Sequence, residues 1–405
     1  MKVLVVGAGI GGLTTALGLH DAGIDVRVID RVRALRPLGV GLNLLPHATA
    51  ALTELGLGDA LAANAVATSE LIHFDRFGNE IWREPRGMAA GHPFPQYSVH
   101  RGRLQQLLLD AVRERLGDGA VRTGCRFAGA VQDDTVVRAE VYEGDGAAPV
   151  ELTADVLIGA DGLHSAVRAG LYPEEGPPRW NGIRMWRGVA TVPPFLTGTS
   201  MVMAGSNHAA KLVAYPLSPP AGPGDRVPVN WVAEVRMPEG GQGEANWTRT
   251  GRLGEVAPYY RDWRIGDLDV PALLAASETI LEYPMVDRDP LPRWTFGRIT
   301  LLGDAAHPMY PIGSNGGSQA ILDARTVAAE LAGAADPAAG LLAYESARRE
   351  AANAVVLANR DMPMDRTLRI VAERAPDGFE RIQDVLTEAE LRAITDGYRR
   401  TSAVR

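Results

Sequence analysis

Three glycines near the start of the chain, Gly7, Gly9 and Gly12, have the spacing of a loop that binds a pyrophosphate. The first glycine permits a tight turn, the second lets backbone N–H groups approach the phosphates, and the third lets a helix pack closely on a strand. An apolar run at residues 3–6 precedes them, and Asp30 ends the next predicted strand, where an acid can accept ribose hydroxyls. This context predicts a dinucleotide site, whereas a glycine loop alone could serve packing only.

A second candidate is Asp161-Gly162, which follows a buried apolar run at residues 156–158. A parallel strand ending there would place the Asp161 carboxylate at the carboxyl edge of the sheet, where ligands bind in open α/β folds. The alternative is that Asp161 only caps a turn or a helix. Both roles stay open at this point.

A third candidate, Gly303-Asp304, follows another predicted strand at residues 299–302, and a glycine-rich loop containing Gly316 comes shortly afterwards. Backbone N–H groups of that loop begin a long predicted helix, whose positive end would stabilise negative charge developing on a bound ring. We expect Asp304 and Gly316 to bind a cofactor. His307, in the same segment, is more typical of a hydrogen-bonded loop residue than of a proton donor.

The composition limits the class of protein. The chain has 405 residues, which is longer than a chain that folds around a single hydrophobic core usually is, so two joined domains are expected. Its formal net charge of −8 disfavours nucleic acid as a partner, because a phosphate backbone calls for a basic surface. Cys125 is the only cysteine, which excludes an internal disulfide, and we expect no metal site. No apolar run is long enough to span a membrane, and the opening run is too short for a signal peptide and leads straight into the glycine motif, so a cytoplasmic protein is expected.

The hydrophobic pattern predicts the elements that must position these motifs. A strand, a helix and a second strand make one βαβ unit over residues 3–30. From about residue 184 to 283 the pattern changes to strands joined by Pro- and Gly-rich segments, which indicates an inserted β-rich domain and a cleft between domains. The other predicted elements are helices at residues 46–57 and 103–116, a hairpin at 71–82, strands at 156–158, 185–191, 211–215, 227–235 and 299–302, and helices from 318 onward.

The three motifs, in this order, resemble those of the single-component FAD-dependent aromatic hydroxylases, a family that includes para-hydroxybenzoate and salicylate hydroxylases. The likeness extends over nearly the whole chain and is greatest toward members that hydroxylate phenazines. The segments that carry this closer likeness begin at Gly39, Arg184, Leu212 and Tyr283. Two positions depart from the family pattern: Asp30, where glutamate is usual, and Ser318, where asparagine is common.

The resemblance implies a fold and a cofactor. The fold would be α/β, with a Rossmann-like FAD-binding domain, an inserted β-rich substrate domain as in para-hydroxybenzoate hydroxylase, and C-terminal helices. FAD would be the cofactor, with NADH or NADPH and dioxygen as co-substrates. Arg101 and Asp304 would contact FAD, and Asp161-Gly162 would serve both FAD and the nicotinamide.

The resemblance also implies a reaction and a set of partners. A small aromatic substrate, phenazine-like or bearing a carboxylate, would be hydroxylated through a flavin C4a-hydroperoxide, with loss of carbon dioxide where the attacked carbon carries the carboxylate. A monomer or a homodimer is expected. The predicted domains are an FAD-binding domain at residues 1–70, 100–180 and 284–365, a substrate domain at 71–99 and 181–283, and a C-terminal helical segment at 366–405.

An apolar cleft closed by a lid is expected, because water must be kept from the reacting flavin. The candidates for its wall are Trp186, Tyr215, Trp231, Met309, Tyr310 and Pro311. Each could instead be plain core, since large aromatic side chains are usually buried for packing. Arg184 or Arg187 could pair with a substrate carboxylate, and a surface ion pair is the alternative for each.

Other functions fit the residues less well. A flavin-dependent halogenase would carry a Trp-x-Trp-x-Ile-Pro segment, which the chain lacks. Baeyer–Villiger and N-hydroxylating flavoproteins carry a second complete glycine fingerprint, whereas the segment from Gly241 to Asn246 lacks the third glycine. A non-catalytic flavin-binding or ligand-binding protein is the alternative from a different class.

Overall fold

The structure is a computed structural model that describes residues 1–37, 39–144, 148–238, 249–362 and 365–393, so the glycine-containing segment at 241–246 lies outside the described residues. In chain order the strands are β1 (Lys2–Val6), β2 (Asp25–Ile29), β3 (Gly41–Leu44), β4 (Ala65–Thr68), β5 (Glu70–Phe74), β6 (Glu80–Pro85), β7 (Gln96–His100), β8 (Val121–Arg122), β9 (Cys125–Gln132), β10 (Val137–Glu143), β11 (Pro149–Ala154), β12 (Val156–Gly159), β13 (Arg179–Val192), β14 (Ser200–Gly205), β15 (Ala210–Pro216), β16 (Val227–Arg236), β17 (Arg264–Ile265), β18 (Leu268–Asp269), β19 (Ser277–Asp287), β20 (Thr295–Phe296) and β21 (Ile299–Leu301). The helices are α1 (Ile10–Asp21), α2 (Pro46–Glu54), α3 (Gly58–Ala63), α4 (Arg101–Leu116), α5 (Ala166–Leu171), α6 (Leu253–Val256), α7 (Val270–Ala275), α8 (Asn315–Gly333), α9 (Pro337–Arg360) and α10 (Arg366–Arg374).

A six-stranded sheet with the order β20-β21-β12-β1-β2-β8 carries the three motifs. Its strands pair in parallel, except that β20 is antiparallel to β21. The central strands β1 and β12 are almost wholly apolar, because α1 and α8 pack with them in one buried core. The predicted motifs directly follow β1, β12 and β21, so they meet at the carboxyl ends of three neighbouring strands.

A small antiparallel sheet with the order β3-β7-β4 connects this part of the fold to the rest. Helix α4 begins immediately after β7, and the N–H group of Arg101 donates to the carbonyl of Val40 at 2.9 Å. This contact brings the first residue of α4 beside the segment that leads into β3. A separate antiparallel sheet, with the order β11-β10-β9, lies between β8 and β12 in the sequence.

The β-rich part is a seven-stranded mixed sheet with the order β19-β13-β16-β15-β14-β5-β6. The predicted hairpin of β5 and β6 joins the later strands through a parallel pairing of β5 with β14. Alternate residues of the sheet face two separate cores, one containing Trp186 and Trp231 and the other containing Met185 and Tyr215. This alternation decides which side chains can reach the cleft.

The C-terminal part is mainly helical, as predicted. Helix α9 packs on the six-stranded sheet, where the hydroxyl of Tyr344 donates to the carbonyl of Leu301 at 3.1 Å. Helix α10 instead joins the core on the cleft side of the seven-stranded sheet, with Leu368, Val371 and the later Leu391 buried there. Within the described residues, no helix is long and apolar enough to cross a membrane, and no cluster of acidic, His and Cys side chains could hold a metal ion.

The observed elements differ from the predicted ones mainly at their ends. Helix α4 begins at Arg101 rather than 103 and α8 at Asn315 rather than 318, because the first residues of each helix lack the apolar side chains that reveal a helical period. Helix α2 ends at Glu54 rather than 57, before Gly56 with its φ of +73°. Strand β13 is longer than predicted, because both β16 and β19 pair along it.

Candidate active site

A cavity of about 530 Å³ lies between the six-stranded and the seven-stranded sheets. The predicted residues that line it are Gly9, Arg101, Gly162, Asp304, Gly316, Met309, Tyr310, Pro311, Tyr215 and Arg187. The predicted residues that do not line it are Gly7, Gly12, Asp30, Asp161, Arg184, Trp186 and Trp231. The structure therefore brings residues from all three motifs together with one face of the β-rich sheet.

The glycine loop after β1 is packed against protein at two positions and open at the third. A Cβ at Gly12 would lie 1.9 Å from the carbonyl oxygen of Gly7, and a Cβ at Gly7 would lie 2.4 Å from that of Ala160. Gly7 also has a φ of +110°, which favours glycine. A Cβ at Gly9 meets no atom within 4 Å, because this residue faces the cavity. Gly9 is therefore the point at which a ligand can approach the backbone closely.

Helices α1 and α8 both begin at the cavity without a capping side chain. Neither has an acidic residue in its first turn, and no side chain of the N-cap residue, Gly9 or Ser314, accepts a hydrogen bond from the helix start. Free N–H groups and the helix dipole make such starts favourable for anions. The start of α1 thus suits a pyrophosphate, and the start of α8, beside Gly316, suits an electron-rich ring edge.

Asp30 lies beside the glycine loop rather than in the cavity. One carboxylate oxygen accepts a hydrogen bond from the N–H group of Ala8 at 2.8 Å, and the other accepts one from Val32 at 2.9 Å. A carboxylate has about four lone-pair positions, so these bonds orient Asp30 without exhausting its capacity as an acceptor. Its contact with a ribose stays a prediction.

Asp161 caps the start of a helix, which is the alternative that its sequence context left open, although the N-cap residue of α5 is Ser165. Its carboxylate accepts hydrogen bonds from Ser165 Oγ at 2.5 Å and from the N–H groups of Ala166 and Val167 at 2.6 and 3.2 Å, at the start of α5. Burial raises the pKa of Asp161, although these hydrogen bonds oppose the rise. Gly162, with a φ of +78°, lines the cavity instead, so the backbone of this motif faces the cavity.

Asp304 is the predicted acid that faces the cavity. It lies in a short helical turn, Gly303–Ala305, directly after β21. The carboxylate is open to the cavity but surrounded by protein, and this loss of hydration raises its pKa, while the charges of His307 and Arg101 oppose the rise. An acid in this position can accept hydrogen bonds from the hydroxyls of a ligand chain that runs between the two helix starts.

Arg168, to which the sequence analysis gave no role, holds the Asp304 loop in place. It is 1% exposed, and its guanidinium donates to the carbonyls of Ala305 and Ala306 at 3.0 and 2.9 Å and to Glu175 at 2.7 Å. Arg168 thereby connects the second motif to the third. An arginine at the end of the second motif, in an otherwise apolar helix, was the feature of the sequence that could have indicated this role.

A second buried network lies behind the same loop. The imidazole of His307 lies 2.6 Å from the carboxylate of Asp323, which also accepts hydrogen bonds from the N–H group of Gly303 at 3.0 Å and from Arg348 at 2.8 Å. Burial alone would raise the pKa of Asp323, but His307 and Arg348 lower it below its ordinary value. His307 is thus a buried, hydrogen-bonded residue, as its sequence context predicts, and it does not line the cavity.

The pleat of β13 decides which of its candidates face the cavity. Met185 and Arg187 line the cavity, whereas the Arg184 guanidinium lies 5.8 Å from the ring centre of Trp186 on the opposite face. Trp186 is 1% exposed and packs in the same core as Trp231. Both tryptophans therefore belong to the core, which is the alternative that their sequence context left open.

Arg187, Tyr215 and Asn230 surround the backbone of Gly41. The N–H group of Gly41 donates to Asn230 Oδ1 at 2.6 Å, and Arg187 Nη2 donates to the Gly41 carbonyl at 3.1 Å. A Cβ at Gly41 would lie 2.7 Å from the ring of Tyr215, so this approach requires glycine. Burial raises the pKa of Tyr215 to about 12, with Arg187 opposing the rise, so its hydroxyl keeps its proton at neutral pH.

Flexible and branched apolar side chains cover the middle of this face. They are Leu71, Met185, Met201, Met203, Val213 and Val232. Methionine side chains adapt their shape to a flat apolar ligand. The result is an apolar chamber with Arg187 and Tyr215 at one end and the open glycine loops at its side.

Comparisons with known proteins agree with this geometry. A family model of the FAD-binding domain matches residues 1–236 and 268–359. Phenazine 1,6-dicarboxylic acid hydroxylase from Lysobacter antibioticus is 50% identical over 402 residues, which cover 98% of this chain and 96% of that protein. 3-Hydroxybenzoate 6-hydroxylase 1 from Aquipseudomonas alcaligenes is 32% identical over 352 residues, covering 86% of this chain and 84% of that protein.

A solved structure extends the comparison to the cofactor. HpxO of Klebsiella pneumoniae, complexed with FAD and uric acid, has a TM-score of 0.80 at 25% identity, covering 100% of this chain and 97% of that one. The open cradle at Gly9, the two uncapped helix starts and Asp304 fit FAD, which is the cofactor of this chain. This chain is a member of the FAD-binding-domain family and is one of its flavoprotein monooxygenases that hydroxylate aromatic compounds.

Proposed function

We propose that this monooxygenase hydroxylates a planar aromatic carboxylate of the phenazine type, using dioxygen and either NADH or NADPH. The 50% identical relative is named for a phenazine dicarboxylic acid, and the 32% identical relative is named for a single-ring carboxylate. The observation that carries the proposal is the pair of Arg187 and Tyr215, which line an otherwise apolar part of the cavity next to the FAD cradle.

FAD, when bound, supplies the transfer of electrons from the nicotinamide and the activation of dioxygen. The residues that would hold it are Gly9, Arg101, Gly162, Asp304 and Gly316, which line the cavity. Gly7 and Gly12 would act indirectly, because they let the loop close against the protein. Asp30 and Asp161 adjoin the cradle, Asp30 through its hydrogen bond to Ala8 and Asp161 through its chain neighbours Ala160 and Gly162, which line the cavity.

The substrate carboxylate would accept hydrogen bonds from the guanidinium of Arg187 and the hydroxyl of Tyr215. Arginine stays charged at every physiological pH and presents a planar set of donors that matches a carboxylate. One arm of Arg187 is already held by the Gly41 carbonyl, so the guanidinium is oriented before a ligand arrives. A carboxylate bound there would place the attached ring over the apolar chamber.

The apolar chamber would also protect the reaction from water. Met203, Val213 and Val232 present no polar group to the ligand, and together with the flat ring they would exclude solvent from the reacting face of the cofactor. Exclusion of water favours oxygen transfer to the ring over release of hydrogen peroxide. The walls thus contribute to coupling between NAD(P)H consumption and product formation.

The same arrangement supports a decarboxylative course. Where the hydroxyl group is added to the carbon that carries the carboxylate, the carbon–carbon bond breaks and carbon dioxide leaves. One NAD(P)H and one dioxygen are then consumed, and one hydroxylated product, one carbon dioxide and one water are formed. Arg187 and Tyr215 would hold the departing group until the bond breaks.

The test is to follow NADH and NADPH oxidation, oxygen uptake, hydrogen peroxide and carbon dioxide with the FAD-loaded protein. The ligands are benzoates, phenazine-1-carboxylate and phenazine-1,6-dicarboxylate. We expect a phenazine acid to accelerate oxidation, with hydroxylated product equal to the NAD(P)H consumed. Acceleration by a benzoate alone would contradict the proposed substrate class. A yellow protein that no aromatic ligand stimulates would favour the non-catalytic alternative.

Two neighbouring arginines provide a matched pair of variants. Arg187→Met should weaken binding of every aromatic carboxylate by roughly 30-fold to 1,000-fold, as expected for loss of a charge-assisted contact of about 2–4 kcal/mol. Arg184→Met should change the same dissociation constant less than about threefold, because Arg184 lies on the other face of β13, 3.4 Å from Glu282. Equal effects of the two variants would contradict a role for Arg187 in binding the carboxylate.

We also propose a cytoplasmic location, supported by the requirement for reduced nicotinamide, which bacteria and eukaryotes keep inside the cell. A monomer or a homodimer stays a prediction. Fractionation of the producing cells and light scattering of the purified holoenzyme test these two points.

A further inference from the structure

The floor of the cavity is formed by two neighbouring strands with the same order of side chains. On β15, Tyr215, Val213 and Lys211 line the cavity in turn, and on β16 Val232 and Glu234 do so. Val213 pairs with Val232 and Lys211 pairs with Glu234 across the two strands. The floor therefore changes from polar at the Tyr215 end, through apolar valines, to polar again at the Lys211 end.

The two polar ends are separated by more than one aromatic ring. Tyr215 and Lys211 are four residues apart on one strand, so their Cα atoms lie roughly 13 Å from each other. Both side chains lie on the face of β15 that lines the cavity, so a ligand must span a gap of this order to reach both of them. A single-ring acid bound at Arg187 and Tyr215 would end over the valines, whereas a fused three-ring acid would reach the Lys211 end.

Lys211 forms an ion cluster with two acids, and one of them, Asp365, lies behind Lys211 and away from the cavity. Lys211 is 2% exposed, and its ammonium lies 2.6 Å from Asp365 and 2.8 Å from Glu234. Lys211 and Glu234 line the cavity, whereas Asp365, at the start of α10, does not. A ligand would therefore meet the ammonium of Lys211 and the carboxyl group of Glu234.

Glu234 is suited to donate a hydrogen bond in this setting. Two carboxyl groups share one ammonium in a buried place, and full ionisation of both would leave a net negative charge away from water. Burial raises the pKa of Glu234, Lys211 opposes the rise and Asp365 adds to it. Burial alone would lower the pKa of Lys211, but Asp365 and Glu234 raise it, so Lys211 stays charged. Burial therefore favours the protonated form at Glu234, which is the carboxyl group of the two that lines the cavity.

We propose that Lys211 and Glu234 bind a second carboxyl group of the substrate and so determine specificity for aromatic dicarboxylates. The first carboxylate lies at Arg187 and Tyr215, the ring system lies over Val213 and Val232, and the second carboxylate accepts hydrogen bonds from Glu234 and Lys211. This inference deepens the proposed function and rests on it. It assigns to Lys211 and Glu234 a role in selecting the substrate, beyond any role in anchoring α10.

The competing explanation is that this ion cluster only joins α10 to the sheet. An anchoring role predicts that a change at Glu234 affects all ligands alike or affects stability alone. A binding role predicts an effect on dicarboxylates that monocarboxylates do not share. The ratio of the two dissociation constants therefore separates the explanations, and a general structural defect would not move it.

The experiment titrates the FAD-loaded, full-length protein with phenazine-1-carboxylate and with phenazine-1,6-dicarboxylate, and follows the flavin absorbance and fluorescence. We expect the wild-type protein to bind the dicarboxylate roughly tenfold to a hundredfold more tightly, as one charge-assisted contact provides. Glu234→Leu should remove most of this advantage, since Lys211 stays in place on Asp365, and should leave the monocarboxylate constant within about twofold. Glu234→Gln, which keeps an N–H donor, should retain part of the advantage.

Three results would overturn the inference while leaving the proposed function in place. The first is that the wild-type protein binds the two acids equally tightly. The second is that Glu234→Leu weakens the binding of both acids by the same factor. The third is that Glu234→Gln loses as much of the preference for the dicarboxylate as Glu234→Leu does. The wild-type ratio tests the inference even if Glu234→Leu does not fold. If neither acid perturbs the flavin and neither stimulates NAD(P)H oxidation, the proposed function itself fails, and the two failures are thereby distinguished.

Discussion

The exchange of Gly9 for alanine separates cofactor binding from folding. Gly9 has ordinary extended backbone angles, with φ of −76° and ψ of −176°, which alanine adopts readily. A Cβ at this position meets no protein atom within 4 Å and projects toward the cavity. The added methyl group therefore affects only what binds there. It occupies the space through which a pyrophosphate approaches the N–H groups at the start of α1.

The size of the effect follows from the contacts that are lost. Alanine is a poorer N-cap than glycine, so we expect the FAD-free protein to lose less than about 1 kcal/mol of unfolding free energy. A phosphate displaced from the helix start loses one or two charge-assisted hydrogen bonds, about 2–4 kcal/mol in total. The dissociation constant for FAD should therefore rise roughly 30-fold to 1,000-fold.

Gly12→Ala is the contrasting variant. Its Cβ would lie 1.9 Å from the carbonyl oxygen of Gly7, a backbone atom that moves only if the turn opens. We expect this variant to be less stable even without FAD, by about 1–3 kcal/mol or more, as for other overpacked positions. Gly119→Ala is the neutral control, because a Cβ there also meets nothing within 4 Å and the residue lies away from the cavity.

The assay is thermal unfolding at a series of FAD concentrations, together with equilibrium binding of FAD. A ligand that binds only the folded state raises stability by an amount set by its concentration relative to its dissociation constant. Without FAD, the unfolding free energy of Gly9→Ala should lie within about 1 kcal/mol of the wild-type value, and the variant should gain much less stability on addition of FAD. Wild-type affinity for FAD in Gly9→Ala would refute the assignment of this loop to the pyrophosphate, and equal FAD-free stability of Gly12→Ala would refute the packing argument.

Three further predictions concern packing and pH. Trp186→Leu should lower the unfolding free energy by about 2–4 kcal/mol and change substrate affinity less than about twofold, since Trp186 is buried on the face of β13 opposite the cavity. A large change of affinity in a ligand titration would contradict this position. Arg168→Met should cost about 2–4 kcal/mol, because it leaves the carbonyls of Ala305 and Ala306 without their donor, whereas Glu175 keeps Arg288 at 3.1 Å; urea unfolding tests this, and a loss below about 1 kcal/mol would be inconsistent with it. Burial lowers the pKa of His73 to about 3. Between about pH 6.5 and 3, His73 is therefore protonated in the unfolded state but neutral in the folded state, and stability falls as the pH falls. By pH 5 this should amount to about 2 kcal/mol relative to pH 7, and an unchanged pH dependence in His73→Gln would contradict it.

The sequence predicted the parts of this protein that depend on local geometry. Gly7, Gly9 and Gly12 follow β1, and Asp304 follows β21, because a buried run of β-branched residues and a tight turn impose these positions wherever they occur. Parallel strands then bring the three motifs to one sheet edge. The α/β fold with an inserted β-rich part and a dinucleotide site could therefore be predicted before any distance was known, whereas the choice of FAD came from the resemblance to the aromatic hydroxylases.

The sequence alone did not decide which of two adjacent residues faces a ligand. Alternation along β13 requires Trp186 and Arg187 to point to opposite sides, but the choice of side depends on what packs against each face. Helices α6 and α7 contribute Val256, Leu273 and Leu274 to the core that takes Trp186, and this leaves Arg187 for the cavity. The same reasoning applies to Asp161, whose carboxylate is used by the start of α5 only because that helix begins beside it.

Contacts between charged groups that are far apart in the sequence were determined by the tertiary structure only. Lys211, Glu234 and Asp365 come from β15, β16 and the start of α10, and no spacing rule connects them. Strand register brings Lys211 opposite Glu234, and packing of α10 on the cleft-side core brings Asp365 to the same point. A motif that directly follows a single strand depends on neighbouring residues in the sequence and can therefore be predicted. A buried cluster of charges forms only where the fold brings together partners that offset the desolvation of each group.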